Sequence, residues 1–529
     1  MVSHASPRLR LLTGAVLLGG LILLTGAVLP RTKTLEQVIA GIQQKSVSDT
    51  LKILAGPAMQ GRGTFSPGFD RAAEFVEGQL EALGLEPAGT DGTFRLQYAM
   101  PCVTPAVECS VRWPGMPSGE DAPQLGKDFA PLLGSRAGAV EAEAVFAGFG
   151  IQSKDENWSD YKEKDVRGKI LFAFTREPWA DDAKQKRFDG AQPVKDSGLR
   201  AKAVAASEAG ALGLVFVPDP AFEPDDGLAM IGAQSQPTLY GVDVAQVENK
   251  MDLPPFPVMS VSRATAAAIF GTDIGAYHAE IERKKKSKPL TTEARVRLET
   301  RFHEAPVTTY NLAARIRGTG SNGEVLVLGA HLDHVGWGVH QEQSGSLLQI
   351  FPGADDNASG STALLEIAKA FAGVAPALDI LFLWFSAEEL GLVGSAAYCE
   401  APLYPMESTV AMLNMDQIAR TDPKEFNLGG TWERKDWADF VADQAKRARC
   451  KLKIDFKAGR DLYGRSDQYS FHQKGVPALF FFEGDIDANL VYHKPGDVAE
   501  TIDCGKMTDI ARVFAACAYA IAVEGVRLR

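Results

Sequence analysis

The sequence predicts an α/β protein built on a mixed, mostly parallel sheet sandwiched by helices, with a β-rich segment inserted ahead of most of its strands. Three observations carry this prediction. Val325–Gly329, Leu378–Phe385, Val410–Asn414 and Val476–Phe482 are continuous apolar runs rather than alternating ones, as strands are when helices cover both faces of a sheet. A run with helical spacing, Ser359 to Phe371, separates the first two. Residues 138–261 have another texture, made of short β-rich runs such as Ala144–Gly150, Lys169–Phe174 and Leu212–Val217.

The elements follow in order. Arg8 and Arg10 precede an uncharged apolar stretch, Leu11 to Leu29, and Pro30, Arg31 and Lys33 follow it. A positive flank and then an apolar stretch is the pattern of an export signal. The stretch is also long enough to span a bilayer, and no A-x-A cleavage site follows it. Residues 1–33 are therefore expected to be a removed signal peptide or an uncleaved membrane anchor, with the rest exported to a periplasmic or extracellular compartment. Helical spacing is expected over 35–56 and over 69–84, where Phe69, Ala72, Ala73, Val76, Leu80 and Leu83 share a face and Gly84 ends the run. Residues 93–113 read as strand and 114–126 as loop. A helix at 200–210 leads into Leu212–Val217, and Val258–Val261 leads into an Ala-rich helix ending at Phe270. The basic run Arg283 to Lys286 reads as a solvated linker.

A chain of 529 residues is too long for one core and implies two or three domains. With 55 Lys and Arg against 67 Asp and Glu, the net charge is −12. Such a chain repels phosphate backbones, which argues against a nucleic-acid partner. The six cysteines include no C-x-x-C. Cys102 and Cys109 are near enough to close a small disulfide loop, or are buried thiols.

The chemistry gathers at strand ends. Val325-Leu-Val-Leu-Gly-Ala runs into His331-Leu-Asp333-His334. Leu378–Phe385 runs into Ser386-Ala-Glu388-Glu389, and the strand before Asn414 runs into Met415-Asp416. Pro352-Gly-Ala-Asp355-Asp356-Asn357 precedes the helix at Ser359, and Tyr492-His493 lies on a later loop. Open α/β sheets bind ligands at the carboxyl ends of their strands, so imidazoles and carboxylates converge there from separate segments. Alone, each has an ordinary reading: a core histidine, a solvated Glu pair, an N-cap. Together they suit zinc, which takes imidazole and carboxylate and keeps a position open for water. Two metals ~3.5–4 Å apart would share a carboxylate and clamp a hydroxide. One member of the Glu388-Glu389 pair would be a ligand and the other a general base. No H-E-x-x-H or G-x-S-x-G is present.

His331-x-Asp333, Pro352-Gly-Ala-Asp-Asp-Asn-Ala-Ser-Gly360, Ser386-Ala-Glu-Glu389, Asn414-Met-Asp416 and Tyr492-His493 resemble the co-catalytic dizinc aminopeptidases and the related glutamate carboxypeptidase II-like exopeptidases. Gly61-Arg62 fits the same family's opening segment. The resemblance implies two zinc ions, one on His331 and Asp416, the other on Glu389 and His493, bridged by Asp356. It implies Glu388 as the base, acting on a metal-bridging hydroxide, and Tyr492 as a hydroxyl that steadies the oxyanion. It implies Asp333 as the partner that orients His331, Asp467 as an acid near the site, and a cis peptide at Asp356-Asn357. The remaining histidines, His334, His340 and His472, are expected at the surface or behind the ligands.

Val145-Phe-Ala-Gly-Phe-Gly-Ile151, Asp160-Tyr161, Asp165-Val-Arg-Gly-Lys169 and Ala209-Gly-Ala-Leu-Gly213 resemble a protease-associated (PA) domain. The resulting division is 34–132 as the first part of a catalytic domain, 133–290 as the PA-like insert, and 291–529 as the zinc exopeptidase domain. The expected activity is removal of N-terminal residues from peptides. A carboxypeptidase or dipeptidase, a glutaminyl cyclase, and a metal-free receptor of the same fold stay open. Side-chain preference and oligomeric state leave no signal.

Overall fold

The computed structural model describes residues 32–132, 135–161, 166–179, 188, 194–221, 231–232, 238–239, 256–320, 323–340, 347–420, 422–432, 434–457, 459–483 and 489–528. The apolar N-terminal stretch lies outside them. No helix among the described residues is long and apolar enough to cross a membrane.

The larger sheet has four parallel strands at its centre, in the order Asp379–Phe385, Val325–His331, Thr409–Met415, Ala478–Phe482. Antiparallel pairs flank them. Phe302–Ile316 lies against Asp379–Phe385 and Arg95–Pro105 on one side, and Glu425–Gly429 lies against Ala478–Phe482 on the other. The sheet is therefore mixed, with its parallel strands in the middle.

Both faces of the central strands are buried, which explains the unbroken apolar runs. Leu326, Leu328, Ala330, Ile380, Phe382 and Trp384 pack on one face with helices Leu35–Gly41, Gln44–Leu54, Gly360–Phe371 and Cys504–Ala522. Val325, Val327, Leu381, Leu383 and Phe385 pack on the other with Tyr398 and Phe471. Each fully buried Leu or Phe contributes roughly 1.5–3 kcal/mol.

The smaller sheet has seven strands, ordered Ser110–Arg112, Leu290–Thr300, Gly138–Phe146, Ile170–Phe174, Gly213–Val217, Val258–Val261, Phe129–Pro131. It thus draws on residues before 133 and after 290. Its core is aromatic, with Phe146 in ring contact with Phe172, Phe174 and Tyr277.

Local differences from the sequence reading have local causes. The helix expected over 35–56 is two, because Ile42 is extended between them. Arg283 and Lys284 are the last turn of a helix, Ile274–Lys284, rather than a linker. Cations there oppose the negative end of the helix dipole. Cys102 and Cys109 are buried free thiols.

Candidate metal centre

Three of the four parallel strands lead directly into residues of the site. His331 is the last residue of its strand, and Ser361 Oγ pins its carbonyl at 2.6 Å. Asp416 follows Met415, with its amide on the carbonyl of Phe481. After Phe385 the chain turns sharply, with Ala387 in the left-handed region. Its amide donates to Thr64 Oγ1 at 3.0 Å and that of Glu388 to Asp333 Oδ1 at 3.3 Å. Asp356 sits in the turn before helix Gly360–Phe371, and the Asp356-Asn357 peptide is cis. Asn357 ties this turn to the neighbouring strand, donating to the carbonyl of Met415 and accepting from the amide of Gly360.

The side chains meet in two groups that share Asp356, one of His331, Asp356 and Asp416 and the other of His334, Asp356, Glu389 and His493. His331 Nε2 lies 3.4 Å from Asp356 Oδ1 and 3.2 Å from Asp416 Oδ1. His493 Nε2 lies 3.0 Å from Asp356 Oδ2 and 2.9 Å from Glu389 Oε2. The two oxygens of one carboxylate therefore face two different imidazoles. Glu388 stands beside them, its Oε2 4.0 Å from His331 Nε2.

The centre demands positive charge. Burial works against a charged His493, yet Glu389 and Asp356 raise it to about 11. Burial likewise opposes charge on His331, and Asp416 and Glu388 override it. Burial pushes the Glu388 carboxyl well up, and the neighbouring carboxylates Asp416 and Glu389 push it further. Glu389 moves the other way, its burial outweighed by the imidazoles beside it.

The donors also fit a metal in kind. His331 Nε2, His493 Nε2 and Asp416 Oδ1 are buried without a well-aligned hydrogen bond among the described residues, although buried polar atoms are normally satisfied. All turn toward the shared space. Borderline-soft imidazole with carboxylate is a zinc donor set.

The other expected residues take varied places. Asp333 lies behind His331, but the nearest acceptor to His331 Nδ1 is its backbone carbonyl at 3.0 Å, with the carboxylate at 3.8 Å. Thr64 Oγ1 donates to the Asp333 carboxylate, whose burial raises it to about 6. Asp467 is fully buried near the centre and raised by burial to about 7. The Tyr492 ring stacks on His493 with centroids 3.9 Å apart. It lines a cleft with Glu388, Asp416, Arg465, Phe480 and Phe482.

Sequence reasoning assigned no definite role to three residues. Asp497 accepts the amides of Asp355 and Asp356 and is paired with Arg420. Arg62, fully buried, donates to the carbonyls of Leu54, Leu332, Pro352 and Gly353. His334, expected at the surface or behind the ligands, is buried among them with Nδ1 2.5 Å from Glu389 Oε1. The adjacency in His331-x-Asp333-His334 was the available signal. His472 is exposed, against Tyr463 and Tyr469; the His340 side chain lies outside the described residues.

The sequence profile of peptidase family M28 matches residues 311–518. The chain is 29% identical over 217 residues to a probable leucine aminopeptidase of Arthroderma benhamiae, covering 38% of this chain and 56% of that one. It is 30% identical over 183 residues to aminopeptidase YwaD of Bacillus subtilis, covering 32% and 37%. These matches thus span little more than half of the relatives' length, or less. Among solved structures it is similar to BSAP, a zinc aminopeptidase from Bacillus subtilis, with TM-score 0.48 and 17% identity over 92% of this chain and 97% of that one.

Proposed function

We propose, from a domain at 311–518 that belongs to peptidase family M28, that the protein is an exported dizinc aminopeptidase that hydrolyses N-terminal residues from peptides. One observation carries this reading: Asp356 offers an oxygen to each of two imidazole–carboxylate sets. His331 and Asp416 would hold one zinc, Glu389 and His493 the other. Zinc held there would supply Lewis acidity, lowering the pKa of bound water toward ~7 and polarising a carbonyl.

The chain's own residues do the rest. Glu388, kept protonatable by its buried and acidic surroundings, takes a proton from the attacking water and returns it to the leaving amine. Such a base contributes ~10²–10⁴-fold in rate. The Tyr492 hydroxyl lines the same cleft as Glu388 and would donate to the oxyanion as the carbonyl becomes tetrahedral. Phe480 and Phe482, stacked at 4.2 Å, give the cleft an apolar wall for the side chain of the substrate. The smaller sheet is read as a PA-like domain that shapes access to this cleft.

One observation favours the second reading, a carboxypeptidase or dipeptidase. Arg465 lines the cleft, with its guanidinium 3.4 Å from the Tyr492 hydroxyl, where it could meet a free carboxylate. A hydrolysis panel of free, N-acylated and C-amidated peptides, with and without chelator, decides. Chelator-sensitive cleavage lost on N-acylation supports the aminopeptidase. Cleavage lost on C-amidation instead supports the carboxypeptidase, and no chelator-sensitive cleavage of any peptide refutes both.

A further inference from the structure

We propose that His334 is a positioning residue that donates a hydrogen bond to Glu389 Oε1 and so restricts Glu389 to Oε2 as its metal-binding atom. The proposal rests on the dizinc reading and assigns a role to a third imidazole at the centre.

His334 is firmly placed. Its amide donates to the carbonyl of Arg62 at 3.2 Å, and Gly63 bridges it. Its ring lies in a space kept by Gly353, which has φ +57°; a Cβ there would fall 2.3 and 2.4 Å from His334 Cδ2 and Cγ. The ring meets His493 edge-on at 5.4 Å. The imidazole is therefore built into the centre.

Two geometric facts distinguish a donor from a fourth ligand. First, two atoms bound to one tetrahedral zinc at ~2.0–2.2 Å stand roughly 3.3 Å apart. His334 Nδ1 is 2.5 Å from Glu389 Oε1, a hydrogen-bond distance, and 3.8 Å from Asp356 Oδ2. His493 Nε2 instead faces both carboxylates of its set, at 2.9 Å from the other oxygen of Glu389 and 3.0 Å from Asp356 Oδ2, whereas His334 is close to Glu389 alone. Second, a metal-bound imidazole hands its remaining N–H to an acceptor, as His331 does toward the carbonyl of Asp333. His334 Nε2 is buried with no hydrogen-bond partner among the described residues. Binding metal through Nδ1 would strand an N–H there, at a desolvation cost. Donating through Nδ1 leaves only a bare lone pair.

Glu389 is thus shared out, one oxygen to His334 and one to the metal. A carboxylate held to one oxygen leaves the coordination position that catalytic zinc sites keep open. With Oε1 released, Glu389 would close on the metal through both oxygens.

X-ray absorption on the zinc-loaded protein tests this without any variant: one imidazole per zinc is expected, from His331 and His493. Three imidazoles per two zincs would make His334 a ligand and overturn the proposal. His334→Ala and His334→Asn then follow, read by chelator competition and by the visible spectrum of the cobalt-substituted protein. His334→Ala should weaken one of the two zincs by ~10–100-fold and lower the cobalt absorption, as coordination number rises. Asn, which can still donate, should restore part of both. Wild-type affinity and spectrum in His334→Ala would also overturn it. Wild-type protein that binds no zinc would instead refute the dizinc reading itself.

Discussion

The carboxylate of Asp497 carries the backbone of Asp356: Oδ2 accepts the Asp356 amide at 3.1 Å, and both oxygens accept that of Asp355 at 3.0 and 3.1 Å. Oδ1 of the same carboxylate also meets the Arg420 guanidinium. Removing Asp497 would therefore leave the half-buried Arg420 guanidinium without its carboxylate and the Asp355-Asp356 turn unsupported. Asp497→Ala should lose about 3–5 kcal/mol of stability and bind zinc ~10–100-fold more weakly. Denaturant titration and chelator competition measure the two effects.

Asp355 and Asp356 are adjacent but face opposite ways. Asp356 meets the two imidazoles, whereas Asp355 accepts the amide of Ala419 at 2.9 Å. Burial and then Glu483 push the Asp355 carboxyl well above the usual range, which favours its uncharged form, the form an amide can mimic. Asp356→Ala should lose both metals, while Asp355→Asn should keep them. Metal analysis after gel filtration separates the two; equal loss would contradict the division of labour.

Glu388 should be separable from the ligands. Glu388→Gln keeps the shape and removes the proton acceptor. Zinc content should stay at the wild-type level and kcat should fall by ~10²–10⁴-fold. A fully active variant would remove Glu388 from the mechanism.

Lys202, far from this chemistry, gives a pH signature. Its buried ammonium donates to the carbonyls of Phe174 and Arg176, and burial lowers it to about 7. An unfolded lysine titrates near ~10.4. Between those values the unfolded state holds the extra proton, so stability rises with pH, by up to about 1.4 kcal/mol per unit. Lys202→Met should lack this rise. Urea titrations of both proteins at pH 7, 8 and 9 would show the gap widening in favour of the wild type; a constant gap would count against a neutral Lys202.

The central strands were legible because both faces are buried, which leaves an apolar run with no alternation to confuse it. Residues at their ends, His331, Glu388, Glu389 and Asp416, were legible as chemistry because the runs stop on them. The long strands Leu290–Thr300 and Phe302–Ile316 were harder to see. Many of their side chains are exposed or half-buried, so Glu293, Arg295 and Arg297 look like solvated chain. Asp497 left no pattern and Arg62 only its place in Gly61-Arg62, since a buried polar residue on a turn has no periodicity. Their partners are backbone atoms, which every residue carries. His334 was visible as a histidine, but its role depends on which oxygen of Glu389 it meets, and that is decided only in three dimensions.

The four carbonyls gathered by Arg62 set the limits of the smallest active piece. One belongs to Leu54, early in the chain, and three to Leu332, Pro352 and Gly353, which flank the candidate ligands His331 and Asp356. A fragment cut to 311–518 would keep every ligand yet lose the guanidinium that gathers the turns bearing them. The turns that bear the candidate ligands are therefore held from outside the matched region, by a guanidinium that precedes it by about 250 residues.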